Sequence, residues 1–172
     1  MVFYSFLPAQ NYFFARTDSG KEIILLRIKD REKIVAIKVM VVDDELEMIE
    51  FIKTGLEPFG YEIINTNDAL EAIQLAHDVL PDLIVLDYMM PGIDGYSIYK
   101  GLNVSKITRD IPVIFITGYM TPQITAKILQ TKAFCYLAKP FDIDDLMDRI
   151  NDALATKSLE TSFKNKNAAK AD

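Results

Sequence analysis

Three aspartates stand where apolar runs break off: "IKVMVV" (37–42) runs into Asp43-Asp44, and "DLIVLD" (82–87) ends on Asp87. A hydroxyl and an ammonium hold comparable places, Thr117 closing "IPVIFIT" (111–117) and Lys139 closing "AFCYLAK" (133–139) before Pro140. Brought together, these five side chains form a chemical constellation. Carboxylates crowded within roughly 4 Å repel by about 4 kcal/mol per pair at an effective dielectric of about 20. They stay ionised together only if a cation joins them. All-oxygen ligands with room for water suit Mg²⁺. A carboxylate is also a nucleophile toward phosphorus, giving an acyl phosphate. Such a transfer needs the phosphoryl oxygens positioned and neutralised, work that suits Lys139, a metal ion and the Thr117 hydroxyl.

Something must bring these residues to one place. Five strand candidates, 37–42, 61–66 ("YEIINT"), 82–87, 111–117 and 133–139, are spaced along the chain, and helical patterns lie between them. Strands this apolar and β-branched suit a parallel sheet covered on both faces. Leu46, Ile49, Ile52 and Leu56 follow helical spacing, as do Leu70, Ile73, His77 and Leu80, and later Leu146, Ile150 and Leu154. Asp68 with Glu71 and Asp142 with Asp145 have capping-box spacing, and Thr121-Pro122 reads as an N-cap and first helical turn. The alternation predicts a doubly wound α/β fold with helices on both faces. In one common strand order of such sheets, 2-1-3-4-5, the first, third, fourth and fifth strands are consecutive neighbours. Ligands bind outside the carboxyl ends of the strands, where Asp43, Asp44, Asp87, Thr117 and Lys139 all sit.

Four separated signals now stand in order: the acidic pair Asp43-Asp44, "DYMMPGIDG" from Asp87, Thr117, and Lys139-Pro140 after the fifth strand. Over about residues 37 to 156 they resemble the receiver domain of two-component response regulators, the CheY-like group. The resemblance implies a flavodoxin-like sheet in the order 2-1-3-4-5. It implies that Asp87 accepts a phosphoryl group from a histidine kinase or histidine phosphotransfer protein, with Lys139 and Thr117 assisting. It further implies that Asp43, Asp44 and Asp87 hold Mg²⁺ with the main-chain carbonyl of Met89, and that the Lys139-Pro140 bond is cis. Thr117 and Tyr136 would form the switch, Thr117 moving toward the phosphoryl group and Tyr136 turning inward. The surface of the fourth helix, fifth strand and fifth helix would then change its preference for a downstream protein partner. Met89 and Tyr119 occupy the family's variable positions over the site and are expected to tune the lifetime of the acyl phosphate.

The expected function is a stand-alone receiver that catalyses its own phosphorylation and acts by binding a partner or passing the phosphoryl group on. Two other classes stay open. One is a small-molecule phosphatase or phosphotransferase working through an aspartyl phosphate, although Tyr88-Met89 after Asp87 does not match an Asp-x-Asp nucleophile motif. The other is a pseudo-receiver that only binds, against which the complete acidic set speaks.

Bulk properties narrow the field. Net charge is −6; residues 1–36 and 157–172 carry +2 each, which leaves −10 on 37–156. A body that acidic is a poor nucleic-acid binder and a fair host for a cation. No apolar run approaches the ~18 residues of a membrane span, so no membrane insertion is expected. The opening "MVFYSFLPAQ" lacks the basic start and cleavage site of a signal peptide. The single cysteine, Cys135, reads as a buried strand residue and fits a reducing, cytoplasmic setting. His77, the sole histidine, lies on or beside the apolar stripe of the second helix and reads as structural. Asp68, Asp82 and Asp94 read as caps and turn acids rather than ligands.

The ends fall outside the resemblance. Residues 1–36 form an extension of unassigned role, either an upstream interaction segment or an over-extended translation start. Within "KEIILLRIKDREKIVAIKV" (21–39) the pattern allows a helix running into the first strand or a hairpin strand. Residues 157–172, "KSLETSFKNKNAAKAD", are polar and read as a disordered tail.

Overall fold

The computed structural model describes residues 36–119 and 121–168, and before them the backbone of three strand segments, 2–7, 12–17 and 23–27. In chain order the strands are β1 (Val2–Leu7), β2 (Tyr12–Thr17), β3 (Ile23–Arg27), β4 (Ile37–Val42), β5 (Tyr61–Thr66), β6 (Leu83–Asp87), β7 (Val113–Thr117) and β8 (Cys135–Ala138). The α-helices are α1 (Leu46–Leu56), α2 (Ala69–Val79), α3 (Gly95–Val104), α4 (Pro122–Leu129) and α5 (Ile143–Ala168), with a short 3₁₀ turn at Glu57–Phe59.

Strands β4 to β8 form one parallel sheet in the order β5-β4-β6-β7-β8. This is the doubly wound order expected above, and all five strand candidates take part. Alternation along the strands splits the core in two. Met40, Val42, Ile84, Leu86, Val113 and Phe115 face α2, α3 and α4. Val39, Val41, Leu83, Val85, Ile114 and Ile116 face α1 and α5. Every residue of β6 and β7 is buried, as sheet strands covered on both faces must be. Burial of this kind stabilises by ~1.5–3 kcal/mol per large side chain, so register errors in the central strands are costly.

The helix faces were legible for α1 and α5 and wrong for α2. Ile49, Ile52 and Leu56 of α1 are buried, and so are Leu146 and Ile150 of α5; Leu46 points outward at 62% exposure. On α2, however, the buried residues are Ala72 and Ala76. Leu70 and Leu80 are 75% and 51% exposed. The reason is steric: small alanines let α2 lie close to the sheet, and the larger side chains a third of a turn away are left outside. His77 shares that outer face and is half exposed beside Asp78, so it is not a core residue.

Capping follows the expected positions with one change of partner. Asp68 accepts from the Leu70 N–H, and Thr121 from the Ile124 N–H with Pro122 in the first turn. Glu71 does not reach back to Asp68; it accepts from the Thr66 hydroxyl at 2.7 Å, while that hydroxyl accepts the Asp68 N–H. Asp94 caps α3 through the Ser97 N–H. Asp82 accepts the Lys38 N–H at 2.9 Å and fastens the start of β4.

At the ends one expectation is corrected and one open alternative is resolved. In place of the disordered tail expected over 157–172, α5 continues as helix to Ala168, and residues 169–172 lie outside the described residues. No glycine or proline interrupts residues 141–172, and polar helix formers such as Lys, Glu and Ala carry a helix outward from an anchored first half. Lys157 still touches the body, its ammonium donating to the Asp82 carbonyl at 3.2 Å. In the N-terminal extension, β3 pairs antiparallel with β2, which selects the hairpin-strand alternative for 23–27; residues 28–35 lie outside the described residues. The pairing of β1 with β2 makes a three-stranded antiparallel sheet, which was not expected. Its signal was present as aromatic and β-branched enrichment in "VFYSFL" and "YFFART", masked by the absence of clean alternation.

Candidate functional site

The carboxyl ends of β4, β6, β7 and β8 deliver the five residues. β4 hands over to Asp43, whose side chain is fully buried. One Asp43 oxygen accepts the Glu45 N–H at 2.9 Å, which folds the chain back at the entrance to α1. The other accepts the Lys139 ammonium at 2.7 Å. Asp87 is the last residue of β6, 3% exposed, with one oxygen 3.4 Å from the same ammonium. The loop after Asp87 is closed by two backbone bonds, Tyr88 N–H to the Ile116 carbonyl and Gly95 N–H to the Tyr88 carbonyl, each 2.9 Å. Lys139 is steered by its own N–H, which bonds the Thr117 carbonyl at 2.8 Å, and is followed by a cis bond to Pro140.

Asp43, Asp44 and Asp87 each offer an oxygen, and these oxygens lie within 4.8 Å of one another. Among the described residues this is the one group of such side chains with metal-ligand spacing. Burial pushes Asp87 up to about 6, with the Asp43 and Asp44 charges adding to the rise and Lys139 opposing it. Burial also raises Asp43, against the pull of Lys139 and the Glu45 N–H. Lys139 is raised despite its burial, because Asp43, Asp87 and Glu45 surround it. The cluster therefore carries more negative charge than one ammonium compensates. Hard oxygen donors, excess negative charge and an adjoining cleft fit a divalent cation of the Mg²⁺ type. That cleft, of about 500 Å³, begins at Asp44 and runs between Asn67–Leu70 and Met90–Ile93. Asn67 and Asp68, in the loop after the edge strand β5, thus form a wall of the approach although that strand carries no reactive group.

The structure assembles Asp43, Asp44, Asp87 and Lys139 directly. Thr117 is buried at the end of β7, and its hydroxyl is bonded within its own loop, to the Tyr119 carbonyl at 3.3 Å and from the Tyr119 N–H at 3.2 Å. Tyr136, in β8 opposite Phe115, is 37% exposed. Met89 and Tyr119, in the loops after β6 and β7, are 48% and 68% exposed. Glu45 was missed: its carboxylate lies 3.3 Å from the Lys139 ammonium. Its place directly after the acidic pair was the available signal.

Comparison with known proteins agrees with this geometry. Residues 39–151 match the family model of the response regulator receiver domain. The phosphate regulon transcriptional regulatory protein PhoB of Escherichia coli is 34% identical over 116 residues, 67% of this chain and 51% of PhoB. The DNA-binding dual master transcriptional regulator RpaA of Synechocystis is 31% identical over 113 residues, 66% of this chain and 47% of RpaA. The chain thus spans about half the length of these curated relatives. Among solved structures, the receiver domain of Francisella response regulator 1452 superposes with a TM-score of 0.63 at 35% identity, covering 69% of this chain and 97% of that one. The chain belongs to the response regulator receiver family.

Proposed function

We propose that this receiver accepts a phosphoryl group on Asp87 from a histidine kinase or histidine phosphotransfer protein and works as a phosphorylation-dependent signalling switch. The observation that carries the reading is the convergence of Asp43, Asp44 and Asp87 with the Lys139 ammonium at the carboxyl edge of the sheet. An ionised Asp87 oxygen attacks the phosphorus of the donor; the bond from phosphorus to the donor histidine nitrogen breaks, and that nitrogen leaves with the electron pair. Asp43, Asp44 and Asp87, with the Met89 carbonyl, are the residues that would hold Mg²⁺, which when bound neutralises charge on the phosphoryl oxygens. Lys139 is already within 3.4 Å of Asp87 and supplies a second positive charge. The Thr117 hydroxyl must leave its bonds to Tyr119 to donate to a phosphoryl oxygen, and that exchange links the site to the loop before α4. Half-exposed Tyr136 in β8 is the neighbouring element that can respond.

Output through a protein partner on the α4–β8–α5 face is the reading for the residues present. The named relatives are transcriptional regulators, RpaA a DNA-binding one, but the −10 charge on residues 37–156 opposes contact of this body with a polyanion. No helix among the described residues is long and apolar enough to cross a membrane, and a cytoplasmic setting accords with the kinase partner. The test is incubation with acetyl phosphate and Mg²⁺, read by intact mass. Wild type should gain one phosphoryl group and lose that ability with chelator; Asp87→Asn should gain none. An Asp87→Asn protein phosphorylated as fast as wild type would sink the assignment. Continuous phosphate release, with many turnovers per protein and no stable adduct, would instead favour the small-molecule phosphatase.

A further inference from the structure

We propose that Glu45 is a positioning residue that restrains Lys139 in the unphosphorylated protein and is displaced when a phosphoryl group arrives. This role rests on Asp87 being the phosphoryl acceptor. Glu45 stands at the N-cap of α1 with extended backbone angles, φ −86° and ψ 104°, yet its side chain makes no capping bond. Asp68, Asp94 and Thr121, at the same place on α2, α3 and α4, each accept an N–H of their own helix. The Glu45 side chain reaches elsewhere. Its N–H is fixed by Asp43 at 2.9 Å, and its carboxylate accepts the Lys139 ammonium at 3.3 Å, across 94 residues of sequence.

An ammonium has three N–H donors, and three carboxylates already crowd this one: Asp43 at 2.7 Å, Glu45 at 3.3 Å and Asp87 at 3.4 Å. A phosphoryl oxygen that takes Lys139 must therefore displace one of them. In the transfer an Asp87 oxygen bonds to phosphorus, the bond from phosphorus to the leaving group breaks, and the leaving group departs with the electron pair. Asp87 thereby becomes part of the group that Lys139 serves, which leaves Asp43 and Glu45 as the competitors. The Asp43 side chain has no exposure, whereas that of Glu45 is 61% exposed. A buried carboxylate stripped of its cation keeps the full cost of its burial, while an exposed one returns to water. Glu45 is thus the partner that gives way. Until it does, its charge lies beside the ammonium and weakens the field that the phosphoryl oxygens, themselves negative, would meet.

Phosphorylation of the full chain by acetyl phosphate at saturating Mg²⁺, followed by intact mass, reads the restraint. Glu45→Gln keeps the shape of the side chain and the N–H bond to Asp43 and removes the charge. It should gain the phosphoryl group about threefold to fivefold faster than wild type, the range that an exposed ion pair allows. Glu47→Gln neutralises an exposed acid in the same first turn of α1. It should stay within about 1.5-fold of wild type, because only the screened general field changes. The Lys139 ammonium gives a second readout that needs no phosphorylation. Its nitrogen NMR signal, identified by its loss in Lys139→Arg, should shift in Glu45→Gln and stay in place in Glu47→Gln. Glu45→Gln that is phosphorylated no faster than wild type would overturn the restraint. So would equal acceleration by both substitutions, or a Lys139 signal that Glu45→Gln leaves unmoved. A wild-type protein that gains no phosphoryl group would overturn Asp87 as acceptor and the restraint with it, whereas adduct formed at equal rates sinks the restraint alone.

Discussion

Asp87 is asked to be ionised in a place that opposes ionisation. Its carboxyl is raised from 3.8 to about 6, burial being the main cause. A folded-state value above the unfolded one means the native protein holds more protons between those two values. Stability therefore falls as pH rises through about 4 to 6, and above that window the full cost, about 3 kcal/mol, is present. Asp87→Asn removes the charge. In chelator at pH 7.5 the variant should be more stable than wild type by about 1–3 kcal/mol, with the gap closing toward pH 4. Urea midpoints at both pH values measure this, and a gap independent of pH would refute the cause given. Met89 and Tyr119 raise a second question at the same scale. Both are large and substantially exposed beside the site, and neither carries a carboxamide or carboxylate to orient the attacking water, as phosphoryl hydrolysis requires. The acyl phosphate should therefore be long-lived. Met89→Asn/Tyr119→Glu should shorten its half-life about tenfold, which needs only ~1.4 kcal/mol of barrier. Decay after donor removal, followed by intact mass, decides it; equal decay in the two proteins would rule these side chains out.

Elements deliver these residues through loops whose geometry leaves little room. A Cβ on Gly95 would overlap the main-chain carbonyl oxygen of Asp87, a backbone atom held at the end of a buried strand. Gly95→Ala should therefore cost about 1–3 kcal/mol and slow phosphorylation by shifting Asp87. Gly101→Ala is the matched comparison, because its nearest neighbour is the flexible end of Ile73 and alanine favours the helix by about 0.5–1 kcal/mol. If urea unfolding shows the two equally harmless, the close approach at Gly95 is not what shapes the loop. The same contrast explains what could be read in advance. Central strands were legible because residues buried on both faces must be apolar throughout, and their ends were legible because an acid, hydroxyl or lysine interrupts that run. The α2 face was misread because alanines carried the contact, and alanine has no strong signal of burial. The helical continuation past residue 156 was misread because polar composition suits solvated helix and disorder alike. The hydrogen bonds that hold Thr117 within its loop depend on backbone geometry that residue types do not encode.

At the scale of the whole molecule, the acidic body and the acidic cluster act on the same equilibrium. Residues 37–156 carry −10, so any salt relieves some self-repulsion. A divalent ion held by Asp43, Asp44 and Asp87 adds a separate gain, because these oxygens come within 4.8 Å only when β4 and β6 are paired in the folded sheet. An ion that binds the native state alone stabilises it by about 2.7 kcal/mol at a hundredfold excess over its Kd. For a domain of this size that is a rise in Tm on the order of 10 °C. Saturating Mg²⁺ should therefore raise Tm well above KCl at matched ionic strength, and chelator should reverse the gain. Asp87→Asn should keep the KCl effect and lose most of the Mg²⁺ effect, since one of three carboxylates is gone. Thermal unfolding of both proteins in the two salts separates general screening from site binding. Equal shifts with KCl and Mg²⁺ in wild type would mean that the three carboxylates, though gathered, do not bind the ion.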